Sequence, residues 1–118
     1  MHIVTVASEA VPFAKTGGLA DVAGTLPRAL AKAGDKVTMI MPHYPKKTDA
    51  AKFGIKSTGR KVTVPFGEWK LDGEILHAVV KPGIDVYFIS QPQFFGRSEL
   101  YQTKDGDYPD NAERFCFF

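Results

Sequence analysis

One junction constrains the chain more than any other stretch. His2-Ile3-Val4-Thr5-Val6-Ala7 is a short apolar run rich in β-branched residues, which favour a pleated strand. It leads through Ser8 to a turn made of Lys15, Thr16, Gly17 and Gly18, and a helical pattern leaves that turn at Leu19. The order is strand, glycine turn carrying one cation, helix N-terminus. Backbone N–H groups in a helix's first turn lack intrahelical partners, and the helix dipole puts partial positive charge there. Glycine lets a ligand approach the backbone with no side chain in the way. A lysine beside such a turn adds a mobile full charge suited to a phosphate or diphosphate. The stretch therefore has the parts of an anion cradle at the mouth of a parallel sheet. The same residues also make an ordinary βα turn with a solvated lysine, and spacing alone does not separate the two. It does exclude two phosphate motifs. The dinucleotide fingerprint needs three glycines as G-x-G-x-x-G, and the Walker pattern needs Gly-Lys-Ser/Thr at its end; Lys15-Thr16 precedes its glycines.

Downstream, Leu19, Val22, Ala23, Leu26, Leu30 and Ala33 fall at helical spacing and predict one buried stripe. Asp21 lies in the first turn, where the dipole favours a carboxylate. Pro27 interrupts the pattern and predicts a kink, or a restart capped by Thr25. Gly34 stands where a helix C-terminus wants glycine, and Lys36 to Met41 reads as a second, largely buried strand. Strand, helix, strand in this span is a βαβ unit with parallel strands. Pro42 to Lys47 reads as a loop, with His43 structural or facing solvent. From Phe53 to Gln91 the pattern turns to β: Lys61 to Phe66, Glu74 to Val80, and a buried strand at Asp85 to Ile89 that rejoins the parallel sheet. Asp72-Gly73 is the expected hairpin turn, and Trp69, Phe66, Tyr87 and Phe88 are expected in the core. Asp105, Asp107 and Asp110 lack the alternation and distal Glu of a calcium loop, so no metal is expected. Asp110 is expected to cap a helix starting near Asn111.

The resulting class is α/β, a Rossmann-like parallel-sheet domain, and 118 residues allow one domain at most. A formal net charge of +2 argues neither for nucleic acid nor for an anionic membrane, and no apolar run is long enough to cross a bilayer. One cysteine, Cys116, excludes an internal disulfide. Met1-His2-Ile3 enters the first strand with no leader, so cytoplasm is the expected compartment.

Lys15-Thr16-Gly17-Gly18-Leu19-Ala20-Asp21-Val22, preceded by Ser8-Glu9 and Pro12, resembles the N-terminal signature of bacterial glycogen synthases and plant starch synthases. The likeness continues through Leu26-Pro27, Ala29-Leu30, Gly34 and Met41-Pro42, and returns at Tyr108-Pro109-Asp110-Asn111 with Arg114-Phe115. It implies a two-domain GT-B-type glycosyltransferase, of which residues 1–118 would be part of the N-terminal catalytic domain. The rest of that domain and the whole C-terminal domain would lie outside it. The expected reaction is retaining transfer of glucose from ADP-glucose to the non-reducing end of an α-1,4-glucan, with no cofactor. Lys15, Gly17 and Gly18 are the implied diphosphate contacts. Asp21 would orient a sugar hydroxyl or simply stabilise the helix start, and Tyr101, Asp110 and Asn111 are further substrate-side candidates. No catalytic residue is assigned within the stretch, which is expected to be inactive alone. The aromatic end, Phe115-Cys116-Phe117-Phe118, is expected to expose apolar surface. Two alternatives stay open: a related glycosyltransferase using UDP-glucose or another donor, and a non-catalytic carbohydrate- or anion-binding module. A nucleotide-redox domain fits least, for want of the third glycine and of an acidic residue ending the second strand.

Overall fold

A computed structural model describes residues 1–118. The elements run β1 (His2–Val6), α1 (Gly18–Lys32), β2 (Lys36–Pro42), α2 (Ala50–Phe53), β3 (Lys56–Phe66), β4 (Trp69–Val80), β5 (Ile84–Ser90), α3 (Pro92–Phe95), β6 (Gln102–Thr103), β7 (Gly106–Asp107) and α4 (Asn111–Phe117). The main sheet has five strands in the order β1-β2-β5-β4-β3. β1, β2 and β5 are mutually parallel, and the β4/β3 hairpin adds two antiparallel strands to one edge. The predicted βαβ unit is present, and the third predicted strand does rejoin it. None of the helices is long and apolar enough to cross a membrane.

The core lies on one face of the sheet. Val37, Met39 and Met41 of β2 share that face with Val86 and Phe88 of β5, their register partners being Met39–Val86 and Met41–Phe88. Phe13, from the segment between β1 and α1, stands edge-on to Phe88 at 5.1 Å and to Phe53 at 4.9 Å between ring centres. Tyr44, Phe94, Phe95, Leu100 and Phe117 complete this layer. The opposite face carries Val4, Val6, Ile40, Ile75, His77, Tyr87 and Ile89 and is open; Val4 and Val6 are mostly exposed.

α1 departs from the predicted stripe. Its buried residues are Ala20, Gly24 and Pro27, with Ala23, Leu30 and Ala31 partly buried against the core, while Leu19, Val22 and Leu26 are 52%, 60% and 49% exposed. Close approach explains the choice of face. A Cβ on Gly24 would stand 2.2 Å from the Val11 carbonyl oxygen, and Val11 donates its N–H to the Ala20 carbonyl at 3.0 Å. Small residues are what let the helix sit that near the chain. The helix also runs unbroken through Pro27, with no restart. Thr25 does not cap; its hydroxyl donates to the Asp21 carbonyl one turn back, at 2.6 Å. The C-terminus is as predicted: Gly34 takes φ 103°, its N–H bonds the Ala31 carbonyl and the Asp35 N–H bonds the Leu30 carbonyl, a Schellman closure.

Three further expectations are corrected. The hairpin turns at Gly67-Glu68, where Gly67 takes φ 59°; Asp72-Gly73 lies inside β4, with Gly73 pressed under the Phe117 ring. Trp69 is 76% exposed because it stands at the hairpin tip, beyond the core layer. The aromatic end is mostly packed in. Phe117 is buried against Phe94, and Phe115 lies beside Phe95 and Tyr101.

Candidate functional site

The loops after β1, β2 and β5 gather at the carboxyl ends of the parallel strands, where open α/β sheets place their ligands. β1 delivers Ser8 and Glu9 there, and the chain then folds under Phe13 before reaching the glycine turn. Phe13's carbonyl accepts the buried Thr48 hydroxyl at 2.8 Å, which pins that segment to the loop after β2. Tyr44, from the same loop, donates its hydroxyl to the Ser8 carbonyl at 2.7 Å. Burial pushes the Tyr44 phenol far above its usual pKa, so it serves as a fixed donor.

Lys15 and Asp21 come together across the glycine turn. The Lys15 Nζ donates to both Asp21 carboxylate oxygens at 2.8 Å, with both side chains about half exposed. Gly17 is the N-cap of α1, and no side chain caps the helix. The first-turn N–H groups therefore have no intrahelical or side-chain partner. Neither glycine is demanded by the fold. Gly17 is extended at φ −158°, Gly18 lies outside the left-handed region, and a Cβ on either would meet no atom within 4 Å. The contrast with Gly24, which has no room for a Cβ, is direct.

Tyr101 faces the same place from the loop after α3. Its hydroxyl shares a 2.7 Å hydrogen bond with the Ser8 hydroxyl. An open cleft of about 610 Å³ lies between Lys15 and Thr16 on one wall and Glu99, Tyr101, Gln102 and Asp107 on the other. Burial, with the Glu9 charge acting in the same direction, holds the Tyr101 phenol above its ordinary value, although its bond to Ser8 pulls the other way.

Asp110 and Asn111 stand behind this wall, and their polar atoms are engaged. Asp110 is at the N-cap position of α4 but makes no cap bond; it grips the Arg97 guanidinium instead, at 2.7 Å for Nη1–Oδ1. That hydrogen bond holds the Asp110 carboxyl below its ordinary range and raises Arg97. Asn111 donates to the Tyr101 carbonyl at 2.9 Å and accepts from Arg114 at 2.7 Å. Arg114 is fully buried, and its guanidinium packs over Tyr108 at 4.9 Å, Phe115 at 5.3 Å and Phe95 at 5.5 Å. Burial lowers its pKa from the usual arginine value.

The sequence left three of these residues without a role. Glu9 is a buried carboxylate accepting from Thr16, Tyr44 is a buried phenol, and Arg114 is a caged cation. Glu9 and Arg114 lie in the stretches that carry the family likeness, which was the available signal; Tyr44 carried none.

The family model for the starch synthase catalytic domain matches residues 2–118. The glycogen synthase of Koribacter versatilis is 46% identical over 119 residues, and that of Rhodopirellula baltica 44% identical over 128. Each alignment takes in 100% of this chain, but only 24% and 25% of those proteins, so the chain spans about a quarter of their length. Among solved structures, the catalytic domain of starch synthase IV from Arabidopsis thaliana, bound to ADP and acarbose, superposes with a TM-score of 0.73 at 31% identity. That match covers 86% of this chain and 21% of the other. The strand–glycine turn–helix junction, the mixed α/β sheet and these likenesses agree: the chain belongs to the starch synthase catalytic-domain family, whose glycogen and starch synthases are glycosyltransferases.

Proposed function

We propose that the chain forms the donor- and acceptor-facing part of the N-terminal domain of a cytoplasmic glucosyltransferase, which moves glucose from ADP-glucose to the non-reducing end of an α-1,4-glucan with retention. One observation carries this reading. At Gly17 and Gly18 neither backbone conformation nor packing calls for glycine, yet both stand side-chain-free at an uncapped helix start beside Lys15. A ligand approaching the backbone is what such a turn accommodates.

Negative charge grows on the departing diphosphate in the transition state, so fixed positive charge and aimed N–H groups there accelerate transfer. Lys15 and the Gly17 and Gly18 amides supply both. In the free protein Asp21 holds the Lys15 ammonium over the helix start. When the diphosphate takes the lysine, the carboxylate is released to accept from a sugar hydroxyl. Tyr101 forms the facing wall for the sugar. Asp110 and Asn111 belong to the substrate side through that wall, because Asn111 holds the Tyr101 backbone and Asp110 anchors Arg97 beside it. The ADP bound to the Arabidopsis enzyme favours an adenine donor here.

The test is turnover by the full-length protein with ADP-glucose and a glucan primer, with and without Lys15→Ala. Lys15 is half exposed, so the unfolding midpoint should hold, while kcat falls roughly 10²-fold, as for loss of one transition-state charge partner. Unchanged turnover would return Lys15 to a solvated loop. Turnover with UDP-glucose but not ADP-glucose would keep the reaction and overturn the donor.

A further inference from the structure

Glu9 is 3% exposed, and no lysine, arginine or histidine pairs with it. Thr16 gives its carboxylate three hydrogen bonds, and the Tyr101 phenol lies near enough to feel its charge. Thr16 donates its hydroxyl at 2.9 and 3.0 Å and its backbone N–H to the same group. A buried carboxylate without a cation is costly unless its oxygens are satisfied. Any movement of Thr16 away from Glu9 therefore exposes that cost, so the segment that follows β1 clamps the turn. The bond also decides which amides are available to a ligand. Glu9 occupies the Thr16 N–H, so the free amides begin at Gly17. A second negative charge so near an anion site opposes binding by Coulomb repulsion, which leaves positioning as the contribution Glu9 makes.

We propose that Glu9 is a positioning residue for glucosyl transfer: through Thr16 it fixes the Lys15–Gly18 turn, so that the Gly17 and Gly18 amides are aimed at the outer phosphate of the donor diphosphate. The inference rests on the sugar-nucleotide function proposed above. Donors held rigidly in advance act without reorganisation, and small misplacements of such groups are expensive.

The test measures binding of ADP, AMP and maltoheptaose by calorimetry to the full-length protein, to Glu9→Gln and to Thr16→Val. AMP lacks the outer phosphate, and maltoheptaose lacks phosphate altogether. Thr16 is exposed, so Thr16→Val is the variant that decides if Glu9→Gln fails to fold. Both variants should weaken ADP about tenfold, the size of one hydrogen bond to a charged group, while AMP and maltoheptaose bind as before. A parallel loss for all three ligands would make Glu9 merely structural and overturn the proposal. So would an ADP-to-AMP affinity ratio equal to that of the unmodified protein. If the unmodified protein binds no ADP, the sugar-nucleotide function itself falls, and this inference with it.

Discussion

Two glycines in this chain do opposite work, and alanine distinguishes them. Gly24 lies where a Cβ would sit 2.2 Å from a carbonyl oxygen and 2.4 Å from the Val11 side chain, so α1 must move off the Val11 segment to admit it. Gly24→Ala is expected to lower stability by about 1–3 kcal/mol, as overpacking does, read as a lower urea midpoint at unchanged slope. Gly18→Ala meets open space and improves helix propensity at the first helical residue, so the midpoint should hold or rise. On the proposed function its donor KM should rise, because a methyl group would then stand where the diphosphate is proposed to approach. A Gly18→Ala enzyme with unaltered kinetics would sink the cradle. The strand–turn–helix order was legible in the sequence, but the spacing did not separate an anion cradle from an ordinary βα turn. The Glu9 clamp was not legible, since nothing in the spacing says that a carboxylate seven residues before Thr16 is buried under it.

Among the elements, α4 is held to the sheet's end by two arginines working differently. Arg114 is enclosed by aromatic rings, whereas Arg97 ties the loop after α3 to the start of α4 through Asp110. The second tie is sensitive to pH. Its hydrogen bond to Arg97 depresses the folded-state pKa of Asp110 below the unfolded value. Such a group adds stability that is fully present above the unfolded pKa, about 4, and lost as pH falls through the folded value. The midpoint difference between the unmodified protein and Asp110→Asn should thus be constant from neutral pH down to about 5 and shrink below about 4. A difference that persists unchanged into strong acid would assign the effect to packing. The helix start at Asn111 was legible, but the use of Asp110 was not, because Arg97 competes for its carboxylate from outside the helix. The burial of α1 shows the same limit. Leu19, Val22 and Leu26 form a sound helical stripe, yet Ala20, Gly24 and Pro27 form another on the adjacent face, and closeness to the Val11 segment selected the small one.

At the scale of the whole molecule, the fold is one-sided. The sheet buries one face under Phe13, Tyr44 and the aromatic loops, while Val4, Val6 and Val79 stand exposed on the other, around an open hollow of about 460 Å³ lined by Ile40, Ile75, Tyr87 and Ile89. Leu19, Val22 and Leu26 add a second apolar strip on the outer side of α1. An α/β sheet whose strands run parallel is ordinarily covered on both faces. The chain spans about a quarter of the length of the curated relatives it matches. A formal charge of +2 gives little repulsion to keep such surfaces apart. Residues 1–118 produced alone should therefore self-associate at micromolar concentration, seen as weight-average mass rising with loading in sedimentation, and should transfer no glucose. Val6→Lys with Val22→Lys should reduce that association without lowering the unfolding midpoint, since both side chains already face solvent. A monomeric 118-residue protein that extends maltoheptaose from ADP-glucose would show that one half-covered sheet carries the whole reaction, and would overturn the expectation that these residues are inactive alone.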